Sequence, residues 1–222
     1  MKWGLFGGTF DPVHLGHLRC AQEVLELFAL DKILFIPAGI QPLKVDRDIL
    51  PFHHREQMIR LAIEGNPSFA VSDIEDRRGG RSYSVETVRH FLDTAPDGTE
   101  LFFILGQDAF HGIPMWKEWQ ELLRLCNFVV MTRPGHETKD LTGVFPPDVA
   151  SLFHYDKAAG GFRGSADRSI FFRGLTLLDI SSTDIRNRVR EHLSIRYLVP
   201  DPVRPDPVRH YILKSSDSDY FS

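Results

Sequence analysis

Short apolar segments rich in β-forming residues alternate with segments of helical periodicity, and this alternation constrains the fold more than any other feature of the chain. Because these apolar segments are hydrophobic at successive positions rather than at every second one, helices should cover both faces of the sheet. The sequence therefore predicts an α/β fold, a Rossmann-like doubly wound parallel sheet. The predicted strands lie at residues 2–6, 32–36, 69–74, 101–105, 128–132 and 171–180.

The predicted helices are recognised by apolar stripes at helical spacing. The stripes consist of Leu15, Leu18, Leu25 and Phe28, then Met58, Leu61 and Ala62, then Val85, Val88 and Leu92, and finally Ile185, Val189 and Leu193. A chain of 222 residues can bury one large core. We predict a single domain over residues 1–214, with a helical C-terminal portion from about residue 182 and a polar tail over residues 215–222.

The charge balance and the two cysteines narrow the class of protein. The formal net charge of −4 gives no overall attraction to nucleic acid or to anionic membranes, so a phosphate-binding site would have to be local. Cys20 and Cys126 lie far apart and should be small core side chains in a reducing cytoplasm. No signal-peptide core or membrane-length apolar run is present. We expect a cytoplasmic protein without nucleic-acid or membrane partners. The sequence does not decide the oligomeric state, and an oligomer is possible.

The segment "GGTFDPVHLGH" falls in the first strand-to-helix turn, where ligands bind in such sheets. Gly7 and Gly8 permit a sharp turn and a close approach of ligand to backbone. His14 and His17 are three residues apart and should share one helix face beside unpaired N–H groups. Gly16 between them removes a side chain that would block a base or a phosphate. This pattern predicts an anion-binding site.

Other interpretations of the histidine pair exist. The two side chains could simply bond nearby carbonyls at a helix start, or bind zinc, although no third zinc ligand lies in plausible register. Both a G-x-G-x-x-G fingerprint and a lysine-bearing P-loop are absent from the sequence.

The whole motif resembles the phosphate-binding signature of the nucleotidyltransferase superfamily, whose histidine motif is H-x-G-H. The segment "ISSTDIR" at 180–186 resembles the second signature of its adenylyltransferase branch. Together with "SYS" at 82–84, "GQD" at 106–108, Pro114-x-Trp116 and "RPG" at 133–135, these motifs resemble the bacterial nicotinate mononucleotide adenylyltransferase family along nearly the whole chain. The resemblance implies that ATP and nicotinate mononucleotide are joined to nicotinate adenine dinucleotide with release of pyrophosphate.

The resemblance and the side-chain chemistry together indicate three groups of site residues. The catalytic residues are His14, His17 and Arg186. The ATP-binding residues are Gly7, Gly8, Thr9, Phe10, Gly16, Lys44, Gly106, Asp108, Ser182 and Thr183. The nicotinate mononucleotide-binding residues are Tyr83, Ser84, Trp116 and Arg133.

The implied reaction needs positioning and charge stabilisation rather than a general base. The attacking phosphate of the mononucleotide already carries most of its second negative charge near neutral pH. Ser182 or Thr183 is expected to cap the helix that carries Arg186. Mg²⁺ is expected to arrive with ATP and to neutralise the leaving pyrophosphate, without a metal site on the protein.

Several loops qualify this prediction. The family often has two prolines, a histidine and a basic residue after the second strand, where this chain has Gln41-Pro42-Leu43-Lys44, and Leu43 cannot replace a histidine's hydrogen bonds. We expect Arg77, Arg78 and Arg81 to lie on a solvated loop. The glycine-rich segment 156–169 is expected to be a mobile insertion.

Three other functions share part of the pattern. Pantetheine-phosphate adenylyltransferase has the H-x-G-H turn, but Pro114-x-Trp116 and "SYS" would have no evident purpose in it. Class I aminoacyl-tRNA synthetases need a lysine-rich second motif and a tRNA-binding extension, which this chain lacks. A nucleotide sensor without turnover would keep the binding residues alone.

Overall fold

A computed structural model describes residues 1–40, 49–133, 138, 140–164, 167–176 and 178–203. The strands are β1 (Lys2–Gly8), β2 (Lys32–Pro37), β3 (Phe69–Val71), β4 (Glu100–Gly106), β5 (Asn127–Thr132), β6 (Phe153–Asp156), β7 (Gly161–Gly164) and β8 (Ser169–Gly174). The helices are α1 (Leu15–Leu27), α2 (Phe52–Ala62), α3 (Ile74–Arg78), α4 (Ser84–Thr94), α5 (Gln107–His111), α6 (Trp119–Leu125), α7 (Pro147–Ala150) and α8 (Ser182–Arg190). Lys44, Leu43 and the predicted tail at 215–222 lie outside the described residues.

The sheet has the order β3-β2-β1-β4-β5-β8-β7-β6, and the first six of these strands are parallel. This arrangement confirms the predicted Rossmann-like fold. The chain order reverses between β1 and β4, where Phe6 lies opposite Ile104. The carboxyl ends of these two strands, Gly8 and Gly106, therefore border the crevice in which such sheets bind ligands.

Helices cover both faces of the sheet. Alternate strand residues belong to two separate cores, as Leu34 and Phe35 of β2 illustrate. Helices α1, α2 and α8 pack against one face and α4, α5, α6 and α7 against the other. Cys20 and Cys126 are both buried and unpaired, as expected. None of the described helices combines the length and the apolar character needed to cross a membrane.

Four local predictions are wrong. The sixth predicted strand ends at Gly174 instead of reaching residue 180. The glycine-rich segment contributes β7, which pairs antiparallel with β6 and β8, because a hairpin depends on distant pairing partners that sequence periodicity does not reveal. Leu193 lies beyond the end of α8 and is exposed. Arg77 and Arg78 belong to the helix α3 rather than to a loop, and Arg78 is largely buried near Glu86, whereas Arg77 and Arg81 are solvent-exposed as expected.

Candidate active site

The turn after β1 is shaped by a buried aromatic ring. Phe10 has a positive φ of 50°, and its side chain is 2% exposed. The ring lies 5.5 Å from that of Phe6 and 5.7 Å from that of Phe35. A Cβ on Gly8 would lie 3.0 Å from the Phe10 ring, so any larger residue at position 8 would require this ring to shift. Because the Phe10 ring is buried, the predicted ATP contact of Phe10 would be made by its backbone and stays a prediction.

His14 and His17 form a reciprocal cap at the start of α1. The His17 N–H donates to His14 Nδ1 at 3.3 Å, and the His14 N–H donates to His17 Nδ1 at 3.2 Å. The two rings stack with centroids 3.6 Å apart. Because each Nδ1 accepts a hydrogen bond, the proton of each neutral imidazole resides on Nε2. The interpretation that these rings bond nearby carbonyls does not describe the observed geometry.

Burial keeps both histidines neutral. Desolvation lowers the pKa of His14 to about 4. Burial also lowers the pKa of His17 well below its usual value, with a smaller contribution from His14. Within the described part of the chain, neither Nε2 atom has a hydrogen-bond partner. The pair therefore offers two uncharged N–H donors at the helix start.

Gly16 makes room for the His14 ring. A Cβ at Gly16 would lie 3.0 Å from His14 Nδ1 and 3.1 Å from its Cε1. The space predicted for a base or phosphate is therefore occupied by the imidazole itself. Gly16 acts on the site through His14.

Helix α8 is bonded directly to the first turn. Ser182 Oγ donates to the Pro12 carbonyl at 2.9 Å, and Arg186 Nη1 donates to the Asp11 carbonyl at 2.6 Å. The N-cap is Ser181, whose Oγ accepts from the Asp184 N–H at 3.0 Å, so the predicted caps at Ser182 and Thr183 are wrong.

The displacement of the cap by one residue frees two hydroxyls for other contacts. Ser182 binds the first turn, and Thr183 accepts a hydrogen bond from Arg186 Nη2 at 3.3 Å. Thr183 is exposed and Ser182 is partly exposed.

Asp11 is a buried partner of Arg186 that the sequence interpretation missed. Its side chain is 2% exposed, and Oδ2 lies 3.7 Å from Arg186 Nη1. Burial raises the pKa of Asp11, and the nearby Arg186 charge opposes this rise. Among the described residues, Asp11 Oδ1 and Arg186 Nε have no hydrogen-bond partner. This pair places a constrained guanidinium beside the histidine turn.

The neighbouring strand ends carry further predicted residues. Gly106 ends β4, and the exposed Asp108 stands in the first turn of α5. Arg133 directly follows β5 and is exposed. Gly7 is the penultimate residue of β1, and Thr9 follows that strand. The fold thus brings these residues to one edge of the sheet.

The "SYS" and Pro-x-Trp motifs lie close together. Tyr83 directly precedes α4, and the Lys117 ammonium lies 4.6 Å from the centre of its ring. The partly exposed Trp116 packs edge-on against Phe103 at 6.1 Å. Ser84 is the first helical residue and makes no side-chain cap. The N-cap of α4 makes no side-chain hydrogen bond to the first-turn N–H groups of the helix.

Trp119 and Ser82 have structural contacts. Trp119 stacks on Phe145 at 5.4 Å with an interplanar angle of 13°, which assigns it to the core. Ser82 Oγ accepts a hydrogen bond from the Gly39 N–H at 3.1 Å and so holds the chain after β2.

Arg55 is a second residue that the sequence interpretation missed. It is 3% exposed and donates to the carbonyls of Leu50, Thr9 and Ala38. Its position three residues before the buried Met58 could have revealed it in the sequence, because residues at this spacing share one face of a helix, here the inner face of α2.

Among the described residues, no three His, Cys, Asp or Glu side chains are grouped as metal ligands. The site there consists of N–H donors and one constrained guanidinium, which suits an anion.

Comparison with known proteins gives concordant matches. Residues 5–188 match the family model described as cytidylyltransferase-like. A Geobacter metallireducens protein named "Probable nicotinate-nucleotide adenylyltransferase" is 44% identical over 212 residues, 96% of this chain and 95% of that protein. A Geobacter sulfurreducens protein of the same name is 45% identical over 203 residues, 91% and 94% of the two chains.

The fold is also similar to a solved structure. That solved structure is described as "Plasmodium falciparum nicotinic acid mononucleotide adenylyltransferase complexed with NaAD". The TM-score is 0.67 at 18% identity, over 99% of this chain and 98% of that chain.

Proposed function

The chain belongs to the cytidylyltransferase-like family and, within it, to the nicotinate-nucleotide adenylyltransferases, and from this membership we propose how its residues carry out the reaction. The reaction joins ATP and nicotinate mononucleotide, releases pyrophosphate and yields nicotinate adenine dinucleotide for NAD synthesis. The observation that carries the assignment of the site is the reciprocal pair of neutral histidines beside the switch point of the sheet.

The chemical step is an in-line displacement at the α-phosphorus of ATP. A phosphate oxygen of nicotinate mononucleotide forms the new P–O bond, and the bond from the α-phosphorus to the bridging oxygen of the β-phosphate breaks. Pyrophosphate leaves with that electron pair. The attacking phosphate is already ionised near neutral pH, so no protein group has to remove a proton.

We assign the two Nε2–H groups to the non-bridging oxygens of the α-phosphate. Each group donates without carrying charge, because burial holds both imidazoles neutral. Donors that are fixed before the reaction stabilise developing charge without reorganisation. Arg186, held by Asp11, supplies positive charge to the same phosphate group from α8.

The remaining ATP contacts are proposed along the same sheet edge. The backbone of Gly7 to Phe10 and the hydroxyl of Thr9 face the phosphates, with Ser182 and Thr183 on the opposite side. Gly106 and Asp108 receive the adenosine. The substrate form is ATP with Mg²⁺, which is held by phosphate oxygens and neutralises the leaving pyrophosphate.

Nicotinate mononucleotide is proposed to lie between α4 and the Pro-x-Trp segment. The free N–H groups at Ser84 and Val85 suit a carboxylate, since a helix start favours negative charge. Trp116 stacks on the pyridine ring. Tyr83 borders the same space, and Arg133 contacts the phosphate of the mononucleotide. A cytoplasmic location is part of this proposal.

The function is tested by measuring pyrophosphate release from ATP and Mg²⁺ with separate acceptors. Nicotinate mononucleotide should be a better acceptor than nicotinamide mononucleotide, and phosphopantetheine should give no release. His17→Ala should lower kcat roughly 10²–10³-fold, as expected for a lost transition-state donor. His154→Asn changes an exposed histidine on β6 and is the matched control. Release with phosphopantetheine alone would contradict the assignment.

A further inference from the structure

Arg55 occupies an unusual position for a charged side chain. It lies on the inner face of α2 and is 3% exposed. Its Nε donates to the Leu50 carbonyl at 2.9 Å, Nη1 to Thr9 at 2.8 Å and Nη2 to Ala38 at 2.7 Å. All three acceptors are neutral backbone groups. The guanidinium therefore binds the chain after β1, the chain after β2 and the start of α2 at once.

This guanidinium is buried without a direct countercharge. Among the described residues, no carboxylate lies within ion-pair distance of it, and Asp11, Asp76 and Glu75 act on it only at longer range. Burial lowers the pKa of Arg55 as a consequence. A buried charge is costly, and an apolar side chain at such a position is often as stable or more stable. The position therefore favours a role beyond core stability.

The Thr9 carbonyl gives the direction of the adjacent amide. In a trans peptide the C=O and the following N–H point to opposite sides of one plane. Because Arg55 binds the Thr9 carbonyl, the Phe10 N–H points away from Arg55. Within the described residues this N–H makes no hydrogen bond. The peptide is thus held through the Thr9 carbonyl, and its N–H remains available to a ligand.

The same turn is strained, so it needs external support. A φ of 50° is unfavourable for phenylalanine and costs on the order of 1–2 kcal/mol. Such conformations persist where surrounding contacts hold them in place. The Phe10 ring is held by the core, and the preceding peptide is held by Arg55. The Ala38 N–H also donates to the Gly8 carbonyl at 2.8 Å, which joins the two strand ends beneath the turn.

We infer that Arg55 is a positioning residue for ATP, which aims the Phe10 N–H at the phosphates by holding the Thr9 carbonyl. The inference rests on the proposed function, and it predicts an effect on ATP rather than on the mononucleotide. Arg55 touches no substrate and acts only through the backbone of the turn.

The test compares Arg55→Met, Arg55→Lys and Arg55→Ala with Arg60→Met. Met removes the charge and all three donors, whereas Lys keeps the charge but cannot span three carbonyls. Arg60 is on the same helix, with a side chain 59% exposed, and is the control. We measure kcat and KM for each substrate, and the Kd of ATP with Mg²⁺ in the absence of mononucleotide.

Arg55→Met should lower kcat/KM for ATP roughly 10²-fold, the loss expected from a small misplacement of a binding group. Arg55→Lys should be intermediate, and the KM of the mononucleotide should not change in either variant. Guanidinium added at a non-denaturing concentration should partly restore ATP turnover in Arg55→Ala. Arg60→Met should behave as the wild type.

The inference is overturned if a folded Arg55 variant binds and uses ATP like the wild type, or if both substrates are affected equally. If Arg55→Met does not fold, Arg55→Lys decides between the same two outcomes. A wild type that binds ATP without transferring adenylate would contradict the proposed function, and the ATP Kd values would still decide the role of Arg55.

Discussion

The buried His14 side chain should make the stability of the protein depend on pH below neutrality. Its pKa is about 4 in the folded protein, against an ordinary value of 6.5. Between these two values the unfolded chain binds a proton that the folded protein does not. The free energy of unfolding is therefore fully retained above pH 6.5 and falls as the pH is lowered.

The size of the effect follows from the pKa difference. Each pH unit within this window costs up to about 1.4 kcal/mol, so acidification to pH 4 should remove about 3 kcal/mol through His14. This is a large share of a total stability of roughly 5–15 kcal/mol. His17 adds to the loss, since burial, with a smaller contribution from His14, also holds its pKa well below the usual value.

The assay compares the wild type with His14→Asn. Asparagine is a good N-cap and its side-chain oxygen can accept from the His17 N–H, but it does not titrate. Urea unfolding, followed by tryptophan fluorescence between about pH 7.5 and pH 4.5, gives the free energy of each protein. His17 and Asp11 are present in both proteins, so the difference reports His14 together with its smaller effect on the pKa of His17. Equal losses of unfolding free energy in the two proteins would refute the conclusion that the capping His14 is neutral. His154→Asn, which changes an exposed histidine, serves as the control and should show the pH dependence of the wild type.

Three further substitutions test other parts of the site. Gly16→Ala should displace the His14 ring and lower kcat roughly 10²-fold, because its Cβ would lie 3.0 Å from Nδ1. Full adenylyl transfer by this variant would contradict the packing role of the glycine. Ser181→Ala should lower the free energy of unfolding by about 1 kcal/mol through loss of the N-cap, as measured in urea, and an unchanged midpoint would contradict the capping assignment. Trp116→Ala should raise the KM of nicotinate mononucleotide by the equivalent of about 1–3 kcal/mol while leaving the Kd of ATP unchanged. A change confined to ATP would exclude stacking on the pyridine ring.

The sequence predicted the parallel sheet and the position of the crevice because both depend on local patterns. Four of the six predicted strands are observed within two residues of their expected bounds, the third ends at Val71 instead of residue 74, and the histidine motif lies at the switch point. The hairpin of β6 and β7 was missed because its pairing partners are distant in the sequence. The N-cap was placed one residue late, since Ser181 and Ser182 are equally suitable caps and tertiary contacts decide between them.

The roles of the buried polar groups could not be predicted from local patterns. A charged residue such as Arg55 is ordinarily expected on the solvent-exposed face of a helix, and only the tertiary structure brings three carbonyls around it. Gly16 was correctly identified as a position that needs space, but the occupant is His14 rather than a ligand. Spacing predicts which residues share a face, whereas burial and hydrogen bonding depend on the rest of the fold.

The bonds between α8 and the first turn have a consequence during synthesis. Ser182 and Arg186 contact residues that precede them by 170 and 175 positions. The Leu15 N–H likewise donates to the Leu198 carbonyl at 3.0 Å, at the very start of the histidine helix. A nascent chain on the ribosome therefore cannot form these contacts until α8 and Leu198 have emerged from the exit tunnel. The proposed phosphate site is thus assembled late in synthesis, and a product truncated before α8 lacks its contacts to the first turn.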